Sequence, residues 1–149
     1  MRIGAGRGRG FPRVASDGGR EVDGRSIVKI LIVDDEMLVR RSLNRVFKSK
    51  GHEVEEAADG EAGVELWKSW EPDLVFLDVL MPKLGGLDVL KKLGDENEAK
   101  VILMSAYTGG TDLEQARRVG ADMFLQKPFQ DIFSVVQVAE DLYRGSIDS

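Results

Sequence analysis

From residue 27 onward the chain alternates two kinds of apolar pattern. Ile27 to Val33 is a nearly continuous apolar run that stops at Asp34-Asp35-Glu36. Such a run marks a strand buried on both faces, here with acids at its C-terminal end. Val39, Leu43, Val46 and Phe47 recur at helical spacing, which predicts a helix closed by Gly51. A short strand follows over Glu53 to Ala57. Asp59 is placed to cap a second helix, which carries Gly63, Leu66, Trp67 and Trp70 on one stripe and stops at Pro72. Leu74 to Leu77 is a third strand, with Asp78 at its end. Leu87, Leu90 and Leu93 mark a third helix, and Val101 to Met104 a fourth strand ending at Ser105. Thr111 or Asp112 opens a fourth helix through Leu113, Ala116 and Val119, stopped by Gly120. Met123 to Leu125 is a fifth strand ending at Lys127-Pro128. Ile132, Val135, Val136, Ala139 and Tyr143 form the stripe of a fifth helix.

Strands that alternate with helices in this way predict a doubly wound α/β domain, a five-stranded parallel sheet covered on both faces. The expected domain spans residues 27–145, followed by a C-terminal tail over 146–149. Residues 1–26 hold 7 of the 17 glycines and few large apolar residues. That composition cannot offset the entropy of ordering, so this extension is expected to be disordered. Its Arg7-Gly8-Arg9-Gly10 alternation is too short to indicate RNA binding.

Charge divides the chain further. The net charge of −5 splits into +3 over residues 1–26 and −8 over the remainder. An acidic domain repels phosphate backbones, which argues against nucleic-acid binding by it. The chain has no cysteine, so disulfides, thiolate metal sites and cysteine nucleophiles are excluded, and a reducing, cytoplasmic setting is expected. No apolar run approaches the roughly 20 residues that span a bilayer, so no membrane insertion is expected. The Gly/Arg-rich start lacks the apolar stretch of a secretory signal.

The candidate chemistry gathers at one edge. Asp34, Asp35, Asp78, Ser105 and Lys127 sit at or just after the C-terminal ends of strands one, three, four and five. In open α/β sheets that edge is the binding crevice. Three carboxylates brought together repel, by on the order of 4 kcal/mol per pair at about 4 Å and an effective dielectric near 20. Lys127 supplies one compensating charge. A divalent cation would supply two more, and all-oxygen ligation favours Mg²⁺ or Mn²⁺. A cation, a lysine and a hydroxyl aimed at one space suit phosphoryl transfer, with Asp78 as the nucleophile that becomes an acyl phosphate.

Ile-Leu-Ile-Val-Asp-Asp-Glu at 30–36, Leu-Asp-Val-Leu-Met-Pro at 77–82, Ser105-Ala106 and Lys127-Pro128-Phe129 together resemble a response-regulator receiver domain. Asp59-Gly60 and Gly86 fit the same pattern, which covers roughly residues 27–145. The resemblance implies a flavodoxin-like (βα)5 fold with strand order 2-1-3-4-5. It implies that Asp78 accepts phosphate from a phosphohistidine on a sensor histidine kinase or a histidine phosphotransfer protein. Asp35 and Asp78 would bind Mg²⁺ directly, with the Leu80 carbonyl as a further ligand and Asp34 acting through water. Lys127 would contact the phosphoryl group and precede a cis bond to Pro128. Ser105 would donate its hydroxyl to a phosphoryl oxygen, and Phe124 would occupy an aromatic switch position. The face of the fourth helix, fifth strand and fifth helix would then change shape for a downstream protein, with the chain a monomer or a phosphorylation-dependent dimer.

Leu80 and Tyr107 stand where the family tunes access of water to the phosphoryl group. Both are bulky and neither orients water, so slow self-dephosphorylation is expected, with faster loss in Leu80→Asn, Tyr107→Glu. The chain stops soon after the fifth helix, so the expectation is a receiver without an output domain. It would act by protein contacts and assist its own phosphorylation without turning over external substrates. A phosphorelay intermediate and a receiver belonging to a longer protein are the alternatives. Thr108-Gly109-Gly110-Thr111 faintly resembles a flavodoxin phosphate loop, which keeps an FMN electron carrier as a reading from another class. A metal-dependent phosphatase using Asp78 would need a second aspartate at position 80, which is Leu. His52 is placed in a loop without a partner at ligand spacing, and Phe133 and Leu142 lie off the last stripe.

Overall fold

The computed structural model describes residues 20–22, 25–94, 97–106 and 117–148. Seven strands are present there: β1 (Arg20–Val22), β2 (Arg25–Ile27), β3 (Lys29–Val33), β4 (Glu53–Ala57), β5 (Leu74–Asp78), β6 (Lys100–Ser105) and β7 (Met123–Gln126). The longer helices are α1 (Met37–Ser49), α2 (Gly60–Trp70), α3 (Gly86–Leu93) and α4 (Ile132–Asp148), the last being the predicted fifth helix. Most of the predicted fourth helix falls outside the described residues. The main sheet runs β4-β3-β5-β6-β7, every neighbour parallel. Counting its strands along the chain gives the expected order 2-1-3-4-5.

Burial on both faces explains why the central strands read as unbroken apolar runs. Alternate side chains go to opposite cores. Leu31, Val33, Val75, Leu77, Val101 and Leu103 face one core, with Val64 and Trp67 of α2 and Val89, Leu90 and Leu93 of α3. Ile30, Ile32, Leu74, Phe76, Ile102 and Met104 face the other, with Leu43, Val46 and Phe47 of α1 and Val136, Ala139 and Tyr143 of α4. The parallel register brings the C-terminal ends of β3, β5 and β6 level at one rim, with Val33 opposite Leu77 and Asp78 opposite Met104.

Local chemistry sets the element ends. The Asp59 side chain caps α2 by accepting from the Ala62 amide at 2.8 Å. α2 closes at Glu71, which adopts φ 55°, just before Pro72. Gly86 begins α3 against the end of β5. A Cβ there would lie 2.5 Å from the Asp78 carbonyl oxygen, so glycine lets the helix approach the strand that carries Asp78.

Two expectations change. Within the stretch expected to be disordered, residues 20–22 and 25–27 pair as β1 and β2 in a two-stranded antiparallel ribbon, while residues 1–19, 23 and 24 lie outside the described set. Its cross-strand backbone bonds order a stretch whose composition carries little apolar signal. The predicted first strand breaks at Val28, whose amide donates to His52 Nδ1 at 3.1 Å instead of joining a ladder. His52 lies in the loop before β4, as expected, and is tied into the structure from there. It is buried, its Nε2 lies 2.8 Å from Glu140 Oε2 on α4, and its ring meets Phe47 edge-on. On α4, Phe133 is exposed, whereas Leu142 packs against the core. Among the described residues no helix is long and apolar enough to cross a membrane.

Candidate functional site

The rim at the C-terminal ends of β3, β5, β6 and β7 gathers the residues picked out in the sequence. Asp34 follows β3 and is fully buried, whereas Asp35 is exposed. Asp78 ends β5 and is 3% exposed. One carboxylate oxygen each from Asp34, Asp35 and Asp78 lie within 4.8 Å of one another. Ser105, the last residue of β6, is fully buried. Lys127 follows β7 and reaches into the cluster. Its Nζ is 2.9 Å from Asp34 Oδ2, 3.2 Å from Glu36 Oε1 and 3.5 Å from Asp78 Oδ2. The Lys127–Pro128 peptide bond is cis.

Backbone and side-chain bonds hold this arrangement. The Asp34 amide donates to the Ala57 carbonyl at 3.1 Å, continuing the β3–β4 ladder by one residue. Asp34 Oδ1 accepts from the Glu36 amide at 2.8 Å, which turns the chain into α1. Beyond β5, the Val79 amide donates to the Met104 carbonyl, and the Gly86 amide donates to the Val79 carbonyl, both at 2.9 Å. The backbone just after Asp78 is thus held by the neighbouring strand β6 and by the start of α3.

Electrostatics follow from that crowding. Burial first, then the Asp34 and Asp35 charges, push the Asp78 carboxyl from 3.8 up to about 7, against the opposing pull of Lys127. Burial would lower the Lys127 ammonium. The bond and charge of Asp34, the charge of Asp78 and the Glu36 bond outweigh it and hold the group above its ordinary value. A carboxylate whose ionised form is disfavoured by burial and by neighbouring acids has most to gain from a cation beside it. The donor set tests that fit well. It is all oxygen, three carboxylates converge, and one of them, Asp35, faces solvent, which matches a hard divalent ion that keeps water ligands.

The structure brings together Asp34, Asp35, Asp78 and Lys127, and places Ser105 at the same rim. Leu80, two residues beyond Asp78, is 59% exposed. Phe124 is half-buried and packs against the core that α2 and α3 cover. Tyr107 and the Thr108–Thr111 segment lie outside the described residues. Two neighbours of the site were not singled out in the sequence. Glu36 shares Lys127 with the two aspartates, and Arg40 donates from Nη1 to the Asp34 carbonyl at 2.9 Å. Glu36 directly follows the acid pair, and Arg40 lies one helical turn beyond it. Those positions are the only signal the sequence offers for either.

Comparisons with known proteins show the family and the fold. The response regulator receiver domain family matches residues 30–137. The transcriptional regulatory protein PdtaR of Mycobacterium tuberculosis is 34% identical over 119 residues, which cover 78% of this chain and 58% of that protein. The response regulator MprA of Mycolicibacterium vanbaalenii is 39% identical over 103 residues, covering 68% of this chain and 45% of MprA. The chain therefore spans about half the length of these relatives. The receiver domain of a Francisella response regulator superimposes with a TM-score of 0.72 at 28% identity, covering 80% of this chain and 98% of that one.

Proposed function

The chain belongs to the response regulator receiver domain family, and we propose that it works as a phosphorylation-controlled switch whose phosphoryl acceptor is Asp78. Membership implies a histidine kinase upstream. The observation that carries the proposal is the Asp78 carboxylate itself. It stands at the end of β5, clustered with two further acids and 3.5 Å from Lys127.

In the proposed reaction an Asp78 oxygen attacks the phosphorus of a phosphohistidine. The P–N bond breaks, its electron pair stays on the departing imidazole nitrogen, and an acyl phosphate forms. Asp35, Asp78 and the Leu80 carbonyl would hold Mg²⁺ or Mn²⁺, with Asp34 assisting through water. When bound, that ion supplies two positive charges against the phosphoryl oxygens. Lys127 supplies a third positive charge from the chain itself, already lodged among the carboxylates. The Ser105 hydroxyl donates to a phosphoryl oxygen and orients the product.

Phosphorylation replaces one negative charge by nearly two and adds strong acceptors. Ser105 and Lys127 then have contacts in one state that they lack in the other, which biases a two-state equilibrium. Phe124 on β7 follows, and the face of the predicted fourth helix, β7 and α4 presents a new shape to a downstream protein. Within this reading the chain is not an enzyme acting on external substrates. Incubation with acetyl phosphate and Mg²⁺, followed by intact mass, tests it. One added phosphoryl group is expected in the wild type and none in Asp78→Asn; equal gain in the variant rejects Asp78 as acceptor.

A further inference from the structure

We infer that Arg40, held by Glu56, is a positioning residue that sets the orientation of the Asp34–Asp35 peptide and so the affinity of the acidic pocket for its cation. This rests on the cation-dependent reading above. Arg40 lies in the first turn of α1, with its own amide on the Glu36 carbonyl at 3.2 Å. Its side chain reaches two elements at once. Nε donates to Glu56 Oε1 at 3.0 Å, near the end of β4, and Nη1 donates to the Asp34 carbonyl at 2.9 Å. Glu56 is itself pinned from the other side, since Oε2 accepts from Asn44 Nδ2 at 2.5 Å. The Arg40 side chain is only 16% exposed.

The Asp34 carbonyl is the oxygen of the peptide that joins the two acids. Rotating that peptide swings Asp35, the exposed carboxylate of the cluster. The other polar groups of Asp34 are fixed: its amide by Ala57, one carboxylate oxygen by the Glu36 amide and the other by Lys127. Arg40 fixes the remaining group. The guanidinium plane presents two donors in a rigid fork, so anchoring one on Glu56 aims the other at the carbonyl. Lysine carries the same charge but cannot serve both acceptors with that geometry. Arg40 acts through the ligands and touches no reacting atom, which is the pattern of groups that tune metal affinity from behind.

The test is Mg²⁺ titration of metal-free protein by isothermal calorimetry and by the Glu36 amide NMR shift, with phosphorylation by acetyl phosphate measured alongside. Arg40→Met is expected to weaken Mg²⁺ binding roughly tenfold. The phosphorylation rate should recover towards wild type at saturating Mg²⁺, and Arg40→Lys should restore only part of the affinity. Glu56→Gln, which leaves the arginine in place but loosens its anchor, should weaken binding by a smaller factor. A purely structural role would lower the unfolding temperature in chelator while leaving Mg²⁺ affinity unchanged. Wild-type affinity in both Arg40→Met and Glu56→Gln overturns the inference, as does full restoration by lysine. Should Arg40→Met fail to fold, Arg40→Lys and Glu56→Gln decide by the same criteria. Failure of the wild-type protein itself to bind Mg²⁺ or to gain a phosphoryl group would remove the site reading and this inference together.

Discussion

Replacing Asp78 by asparagine removes one charge from a crowded rim and keeps the side chain's shape. In the metal-free protein that change is expected to stabilise the fold. The Asp78 carboxyl is pushed from 3.8 to about 7. At about 1.36 kcal/mol per tenfold change in proton affinity, ionising it in the folded state costs on the order of 4 kcal/mol. Two effects reduce the gain. The variant gives up the Lys127 contact at 3.5 Å, and its buried amide needs partners of its own. An imperfectly paired amide takes back roughly 1–2 kcal/mol, leaving about 2 kcal/mol in favour of asparagine. In a domain of this size that is an increase in unfolding temperature of roughly 8 °C. The dependence on pH has a definite sign. The folded state holds this proton more tightly than the unfolded chain does. The penalty is therefore absent below the unfolded value of about 4, grows as pH rises, and is complete above about 7. Calorimetric unfolding in chelator should show the gap between variant and wild type at about pH 8 and little of it at about pH 5. Millimolar Mg²⁺ should close the gap by stabilising only the wild type. A variant no more stable than wild type at the higher pH, or a gap independent of pH, would refute the reasoning.

Lys127→Met should slow phosphorylation by acetyl phosphate by a factor of about 100 or more, since it removes charge from the reacting oxygens, with a time course of intact mass as the check. The same lysine is held above its ordinary value, so its support for the metal-free fold is complete below about pH 10 and lost only as pH rises further; base titration of unfolding reads this. Gly86→Ala should destabilise by about 1–3 kcal/mol, because the new methyl meets the Asp78 carbonyl oxygen and the strand or helix must shift; urea unfolding measures it. His52→Ala should cost roughly 2 kcal/mol by leaving the Val28 amide and Glu140 short of a partner, without changing Mg²⁺ affinity at the opposite end of the sheet. Burial lifts the Glu140 carboxyl, but its bonds to Lys50 and His52 outweigh that and hold it below the usual value. Its contribution is thus present above about pH 4.5 and lost as pH falls further, which acid unfolding of Glu140→Gln should show.

The fold was legible because both faces of the sheet are covered. Ile30 to Val33, Leu74 to Leu77 and Val101 to Met104 are apolar at every position for that reason, and the acids and the serine that follow them mark where each strand reaches the polar rim, buried though Asp34, Asp78 and Ser105 are. What stayed hidden depends on partners distant in sequence. The strand break at Val28 is set by His52, and His52 is paired with Glu140, 88 positions further on. The β1–β2 ribbon is made of backbone bonds in a stretch with little apolar pattern.

The site divides along the same line. Residue types and strand ends were enough to place Asp34, Asp35, Asp78, Ser105 and Lys127 at one rim, but not to say which acid the lysine serves. The structure ranks them: Lys127 Nζ is nearest Asp34, then Glu36, and farthest from Asp78. That ranking has a chemical consequence. A single ammonium cannot neutralise three carboxylates, and the one it holds least closely is buried, beside the charges of Asp34 and Asp35. Asp78 is accordingly the group left with its carboxyl pushed up to about 7. Of the two buried acids, the one with the lesser internal compensation is the one that gains more from an outside cation and is better placed to pass its negative charge into a new bond. Glu36 contributes to this by drawing Lys127 toward the exposed side of the cluster, so Glu36→Gln should let the lysine settle nearer Asp78. An NMR titration of metal-free protein would then show the Asp78 carboxyl falling from about 7 towards the ordinary range; an unchanged value would mean that Asp34 alone fixes the lysine.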